Sequence, residues 1–169
     1  MASLQVLPKN NDGFDLISLG ALIVRFDPGV VPFEYAQSLD LHVSGGEFNV
    51  AANLSRAFGQ KTAVVSAMVD YPLGLKIESE VRRMGVTGIY KHFPHDGVRG
   101  PNMANVYSDR GQGLRAPVVF YNRSNEAAAL LDEKSFDWDS IFAKKVRWFH
   151  SGGIFAALSE NNPKLIIEA

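Results

Sequence analysis

Apolar residues along the chain come in short runs cut by glycine and proline, and their period changes from run to run. Phe14 to Gly20 (FDLISLG) is a brief apolar run closed by glycine, which predicts a buried strand. The next stretch, ALIVRFDPGVVPFEYAQSLDLHV, alternates and is broken by Pro and Gly, which predicts short strands and turns. From Ser44 to Gly59 (SGGEFNVAANLSRAFG) the period becomes helical. Val50, Ala51, Leu54, Ala57 and Phe58 share one face, and Gly59 stands where a left-handed cap belongs. KTAVVSAMV then reads as a buried strand. Asp70 before Pro72 predicts a helix start with Asp70 in the N-cap region. Leu73, Ile77, Val81 and Met84 line that helix until Gly85, and VTGIYKHF is a further strand. Strand, helix, strand, helix, strand predicts an open α/β sheet with parallel pairing.

Beyond that point the rhythm changes. MANVYSD and RAPVVFYN flank RGQG with no room for a helix between them, so they predict a hairpin or two lid strands. NEAAALLDEKSFDWDSIFAKK is helical or loop-like in pieces. VRWFHSGGIF is a strand running into a glycine turn, and AALSENNPKLIIEA opens another helix. Met1 to Gly13 reads as a loose leader ending in the turn-rich KNNDG.

Composition narrows the function classes. Of 169 residues, 46% are hydrophobic and 21% charged, ordinary values for a globular chain with a real core. The formal net charge is -1, from 17 basic and 18 acidic residues, without a basic stripe, which argues against nucleic acid as a partner. Cysteine is absent, which excludes disulfides, thiolate metal sites and cysteine nucleophiles and fits a cytoplasmic setting. The first residues do not form a signal peptide, and no apolar run is long enough to span a bilayer, so no membrane partner is expected.

The glycine pair Gly45-Gly46 ahead of a helix is the first candidate for ligand chemistry. Such a helix start offers free N–H groups, and glycine lets a ligand approach the backbone. The spacing is not that of a dinucleotide loop, and no Gly-Lys-Ser/Thr of a phosphate loop is present. Gly111-Gln112-Gly113 falls in the expected hairpin turn. Asn49 and Asn53, four apart near the helix start, are poor mid-helix residues, and an amide that donates and accepts suits a polyol. A cap or core hydrogen bond is the alternative for both. His92 and His95 are separated by Pro94, which argues against a helical metal pair.

Several of these segments, in this order, resemble the ribokinase-like (PfkB) carbohydrate kinases. SGGEFNVAANLSRAFG is similar to the family's early signature of a glycine pair, an Asn-Val-Ala and a Leu–Arg–Gly helix end. MVDYPLG is similar to the next segment, where an Asp and a Gly frame a helix start. VVFYNRSNEAAALL resembles the Phe-Tyr-x-Arg stretch of the 2-keto-3-deoxygluconate kinase branch, and VRWFHSGGIFAALS the strand and turn that follow it. The resemblance covers Phe14 to Ser159. It implies a ribokinase-like α/β fold: an open, mostly parallel sheet with flanking helices and a small β lid, truncated before the C-terminal ATP-binding half. Lid strands are expected at roughly 22–43 and 100–122, within a kinase domain portion spanning 14–169.

The same resemblance implies that the glycine pair lines the sugar pocket. Gly45, Gly46 and Asn49 would contact hydroxyls of the acceptor. Tyr107 and Tyr121 would project from the lid strands toward it, with lid or dimer packing as the alternative. Arg123 would grip the carboxylate of a sugar acid through its fork, with a surface ion pair as the alternative. Ala21 stands where this branch often has Glu, Arg25 where many relatives have a sugar-touching Asp, and Asn122 where an aromatic is usual. Asp27 is the nearby substitute for that Asp.

Catalysis in the family depends on a Gly-Ala-Gly-Asp segment that supplies the base and cradles phosphate at a helix N-terminus. These 169 residues contain no such segment. No catalytic residue is therefore assigned. Asp70 reads as a cap and Asp109 as a turn residue. ATP and Mg are expected for the full-length family enzyme and are not expected to bind this chain well. Two readings stay open: the N-terminal part of a sugar kinase, inactive alone, or a naturally short sugar-binding or dimerising remnant. A homodimer through the β lid is compatible with both. A bare nucleotide-binding module is the weakest third.

Overall fold

The computed structural model describes Pro8, Lys9 and residues 12–169. Most of the leader expected over Met1 to Gly13 lies outside the described residues. Gly13 is described, and it is buried against the chain at Lys144 and Lys145. The strands are β1 (Leu16–Leu19), β2 (Ile23–Asp27), β3 (Asp40–Ser44), β4 (Thr62–Val69), β5 (Val86–Phe93), β6 (Ala104–Ser108), β7 (Val119–Asn122) and β8 (Phe149–Ser151). The helices are α1 (Gly46–Phe58), α2 (Pro72–Arg83), α3 (Trp138–Phe142), α4 (Gly153–Ala156) and α5 (Asn162–Glu168).

Two sheets organise these elements. The first has the order β5-β4-β1-β8, and all its pairs are parallel, with Leu16 opposite Thr62 and Ile17 opposite Phe149. β4 is buried at every position. That is what a continuous apolar, β-branched run does in a sheet covered on both faces. α1 packs on β1 and β4, α2 on β5, and a 3-10 turn at Ala127–Leu130 on β4. The buried Asn162 of α5 ties in by donating from Nδ2 to the Ala128 carbonyl at 3.1 Å.

The second sheet has the order β3-β2-β6-β7. β2 and β3 are antiparallel, β2 and β6 parallel, and β6 and β7 antiparallel. Its strands come from the two stretches with alternating, turn-punctuated sequence. Gly111 and Gly113 sit in the β6–β7 turn with φ of 65° and 58°.

Two sequence expectations are corrected here. The buried stripe of α1 is Glu47, Phe48, Ala51 and Ala52, while Val50 and Phe58 turn outward, Phe58 being 69% exposed. The small side chains of Ala51 and Ala52 let the helix lie close to β4, where Thr62 Oγ1 donates to the Ala51 carbonyl at 3.0 Å. With apolar residues on both sides of the stripe, periodicity alone misplaces it by part of a turn. Asp70 does not cap α2. The N-cap is Tyr71, without a side-chain cap bond, and Pro72 at the first helical position needs no partner for a missing N–H. The Asp70 carboxylate instead meets His92 Nδ1 at 2.7 Å.

Candidate functional site

The chain leaves β1 through Ala21 into Ile23 of β2, and β3 turns into α1 through Gly45 and Gly46. β7 runs past with Tyr121, followed by Arg123. β8 carries His150 and ends at Gly152 and Gly153, which open α4. These segments enclose a cavity of about 430 Å³. It lies outside the carboxyl ends of β1 and β8, where open parallel sheets usually hold ligands.

The glycine pair has two separate reasons to be glycine. Gly45 adopts φ 156°, and a Cβ there would stand 2.4 Å from the Ala21 carbonyl oxygen. It therefore lets the exit of β1 press against the start of α1. A Cβ on Gly46 would meet nothing within 4 Å, so its missing side chain leaves the cavity open to the helix backbone. The first N–H groups of α1 have no partner within the helix.

Arg123 and Tyr121 also line the cavity. The Arg123 guanidinium lies over the Tyr121 ring, 5.7 Å from its centroid. Arg123 Nη1 donates to Glu126 Oε1 at 2.9 Å and Oε2 at 2.8 Å. Glu126 is 3% exposed, and burial pushes its carboxyl above the ordinary range, an effect Arg123 offsets only in part. Nη2 and Nε of Arg123 donate to nothing among the described residues, so half of the fork is free. Arg123 thus lines the cavity and also pairs with a buried carboxylate, where the expected alternative was an ion pair at the surface.

Gly45, Gly46, Tyr121 and Arg123 meet in this cavity, and Asn49 and Tyr107 do not line it. Asn49 Nδ2 donates to Ser44 Oγ at 3.3 Å, just outside the helix start. Asn53 Nδ2 donates to the Asn49 carbonyl at 2.7 Å. Tyr107 lies on the opposite face of the second sheet, stacked on Phe26 and Phe120 at centroid distances of 5.2 and 4.8 Å. The pleat explains the split. Tyr121 pairs with Val106, and Tyr107 pairs with Phe120, one residue out of phase.

Asp27 does not reach the cavity either. It is buried and accepts from the Gly29 amide at 2.7 Å, from Arg110 Nε at 3.3 Å and from Arg25 Nη2. Arg25 is thereby turned to structural use. Asp109 holds the β6–β7 turn, accepting from the Gly111 amide at 2.8 Å, the Val118 amide at 3.1 Å and Arg115 Nη1 at 2.7 Å.

Four polar or glycine residues of the cavity have no counterpart in the sequence reading: Glu47, His150 and the second glycine pair, Gly152-Gly153. A signal for them exists. Ser-Gly-Gly occurs at Ser44 to Gly46 and again at Ser151 to Gly153, each time between a strand and a helix. No group of three or more His, Asp or Glu side chains suited to a metal is present among the described residues. No helix among them is long and apolar enough to cross a membrane.

No family model matches the chain. It is 32% identical over 149 residues to a 2-dehydro-3-deoxygalactonokinase of Haloferax volcanii, a match covering 86% of this chain and 44% of that protein. Its fold superposes on the crystal structure of 2-dehydro-3-deoxygluconokinase from Thermotoga maritima with a TM-score of 0.79 and 26% identity, covering 91% of this chain and 45% of that one. A PfkB family carbohydrate kinase from Listeria grayi gives a TM-score of 0.77 and 27% identity, with 90% and 46% covered. The chain thus spans under half the length of the relatives it matches. Sequence and fold together place it with the ribokinase-like (PfkB) carbohydrate kinases, as the counterpart of their N-terminal portion.

Proposed function

We propose that the chain is the sugar-binding portion of a carbohydrate kinase that transfers the ATP γ-phosphate to a hydroxyl of a sugar or sugar acid of the 2-keto-3-deoxygluconate type. One observation carries this reading: Gly45, Gly46, Tyr121 and Arg123, far apart in sequence, converge on one cavity at the carboxyl ends of the parallel strands. Backbone amides and a tyrosine suit hydroxyl groups, and the free half of the Arg123 fork suits a carboxylate. The names of the Haloferax and Thermotoga relatives support a keto-deoxy acid.

Phosphoryl transfer also needs a base, charge-neutralising donors and a nucleotide platform. These residues contain no Gly-Ala-Gly-Asp, and no metal-binding group is found among those described. They do not fit ATP and Mg. The chain binds and orients the acceptor and does not turn over by itself. Zero cysteine supports a cytoplasmic setting. The stacked aromatic face of the second sheet, where Phe120 is 46% exposed, supports pairing of two chains through that sheet.

Calorimetric titration of the purified chain tests the reading. 2-Keto-3-deoxygluconate is expected to bind saturably, and Arg123→Ala to bind it at least tenfold more weakly, the loss of one charged hydrogen bond. ATP binding in the absence of any sugar or sugar-acid binding would instead favour a nucleotide module and end the proposal.

A further inference from the structure

Glu47 is the one acid among the residues that line the cavity. The residue is 6% exposed, yet no hydrogen bond or ion pair reaches its carboxylate among the described residues. Its oxygens lie in a slot between the ends of β1 and β8. A Cβ on Gly20 would stand 2.2 Å from Oε2, and one on Gly152 would stand 2.1 Å from Oε1. Alanine at either position would push the carboxylate out of its place. Two glycines just past the ends of β1 and β8 therefore hold this group, in the first turn of α1, at the cavity.

The Glu47 carboxylate has no donor among the described residues and lines the cavity, so its hydrogen bonds must come from whatever fills that cavity. The dipole at the N-terminal end of α1 favours an acidic side chain in the first turn. The remaining demand is chemical. An ionised carboxylate accepts hydrogen bonds and cannot donate, so what satisfies it must bring O–H or N–H groups and must not present an anion to it. Arg123, also in the lining, has the reverse character, because its Nη2 and Nε are free to donate.

We infer that Glu47 is a specificity-determining residue that accepts hydrogen bonds from ligand hydroxyls and fixes the ligand's direction in the cavity. The hydroxyl-bearing end lies against Glu47 and the acid end against Arg123. This rests on the sugar-acid reading above and adds to it a polarity across the pocket. A ligand bound the other way round would set carboxylate against carboxylate.

The test compares wild type with Glu47→Gln, an isosteric change that removes the charge and turns one acceptor into a donor. Binding of 2-keto-3-deoxygluconate by calorimetry is expected to weaken about tenfold in E47Q, the size of one charge-assisted hydrogen bond. Analogues each lacking one hydroxyl are measured on both proteins. The analogue missing the contacted hydroxyl should lose about tenfold on wild type and bind E47Q no worse than the parent sugar acid does. A measurement that needs no variant runs beside this: the carboxyl ¹³C resonance of Glu47 in labelled wild type should move on saturation with the sugar acid. Equal or tighter binding by folded E47Q, or an unmoved resonance in saturated wild type, overturns the inference and leaves the proposed function standing. Wild type that binds neither a sugar acid nor a neutral sugar overturns both.

Discussion

The two sheets are built on different physics. In the parallel sheet, β4 is buried throughout and Ile17, Leu19, Val64 and Val65 are fully buried, so the sheet is held by apolar burial between helices. In the second sheet, all four residues of β7 are exposed and β3 is exposed over its first three. Its central strands bury Val24, Ala104 and Val106, and carboxylates fasten its rim: Asp27 gathers Arg25, Arg110 and the Gly29 amide, and Asp109 gathers Arg115 and two turn amides. A hydrophobic core is close-packed and gives way all at once. Polar fastenings at the rim of a partly exposed sheet can open locally.

The largest effect expected from this contrast lies in the parallel sheet. Ile17→Ala, at the centre of β1, should cost about 4 kcal/mol. Urea unfolding followed by circular dichroism should show the midpoint falling in one cooperative step. A cost near that of a surface change would mean that the parallel sheet is not the stability core.

Asp27→Ala should cost less, about 2 kcal/mol, the penalty of leaving donors without their acceptor in a partly buried site. Its signature is spatial. Amide exchange should quicken in β2, β3 and β6, while β4 keeps its protection. Uniform loss of protection would show that the sheets open as one unit.

Acid should act in the same direction as that substitution. Burial pushes the Asp27 carboxyl up, but the Gly29 amide and the Arg25 and Arg110 guanidinium groups more than offset it, so its pKa lies below the ordinary value. Asp109 is depressed likewise, burial being outweighed by Arg115 and the Gly111 and Val118 amides. Groups with depressed folded pKa values contribute stability above the unfolded value, about 3.9, and lose it as pH falls through the folded one. Glu126 runs the other way. Its raised pKa makes its contribution largest when protonated, and that contribution declines as pH rises past about 4.3. The second sheet should therefore keep its protection at pH 5 and lose it below pH 4. Asp27→Asn should flatten that loss. An unchanged acid limb in the variant would remove Asp27 from the account.

Much of this architecture was legible in the sequence, and the reasons differ by region. The parallel strands announce themselves because burial on both faces leaves an unbroken apolar run, as in TAVVSAMV. The second sheet was legible as strands through alternation and turn residues. Which face each side chain takes was not, because pairing register decides it. That is why Tyr121 reaches the cavity and Tyr107 the opposite face. Arg123 was expected at the site and lines the cavity, but its hold on Glu126 depends on a turn that brings positions three apart together. Glu47 reads in the sequence as an ordinary first-turn acid. Its isolation comes from Gly20 and Gly152, which the fold brings to it from just past the ends of two strands.

The smallest expected effect on the fold tests the comparison most sharply. Phe120 stacks on Tyr107 at 4.8 Å and meets Phe33 edge-on at 5.3 Å, yet it is 46% exposed. Aromatic pairs of this kind are worth about 1 kcal/mol beyond the area they bury. Phe120→Ser should therefore lower the stability of the monomer by about that amount, well under the cost of Ile17→Ala. If the outer face of the second sheet joins two chains, the same substitution should shift sedimentation strongly toward the monomer, because a half-exposed aromatic becomes fully desolvated only in a pair. A large stability loss without any change in assembly would give the outer face of the second sheet an apolar core of its own. The division between a sheet held by burial and one fastened at its rim by carboxylates would then fail at the position chosen to display it.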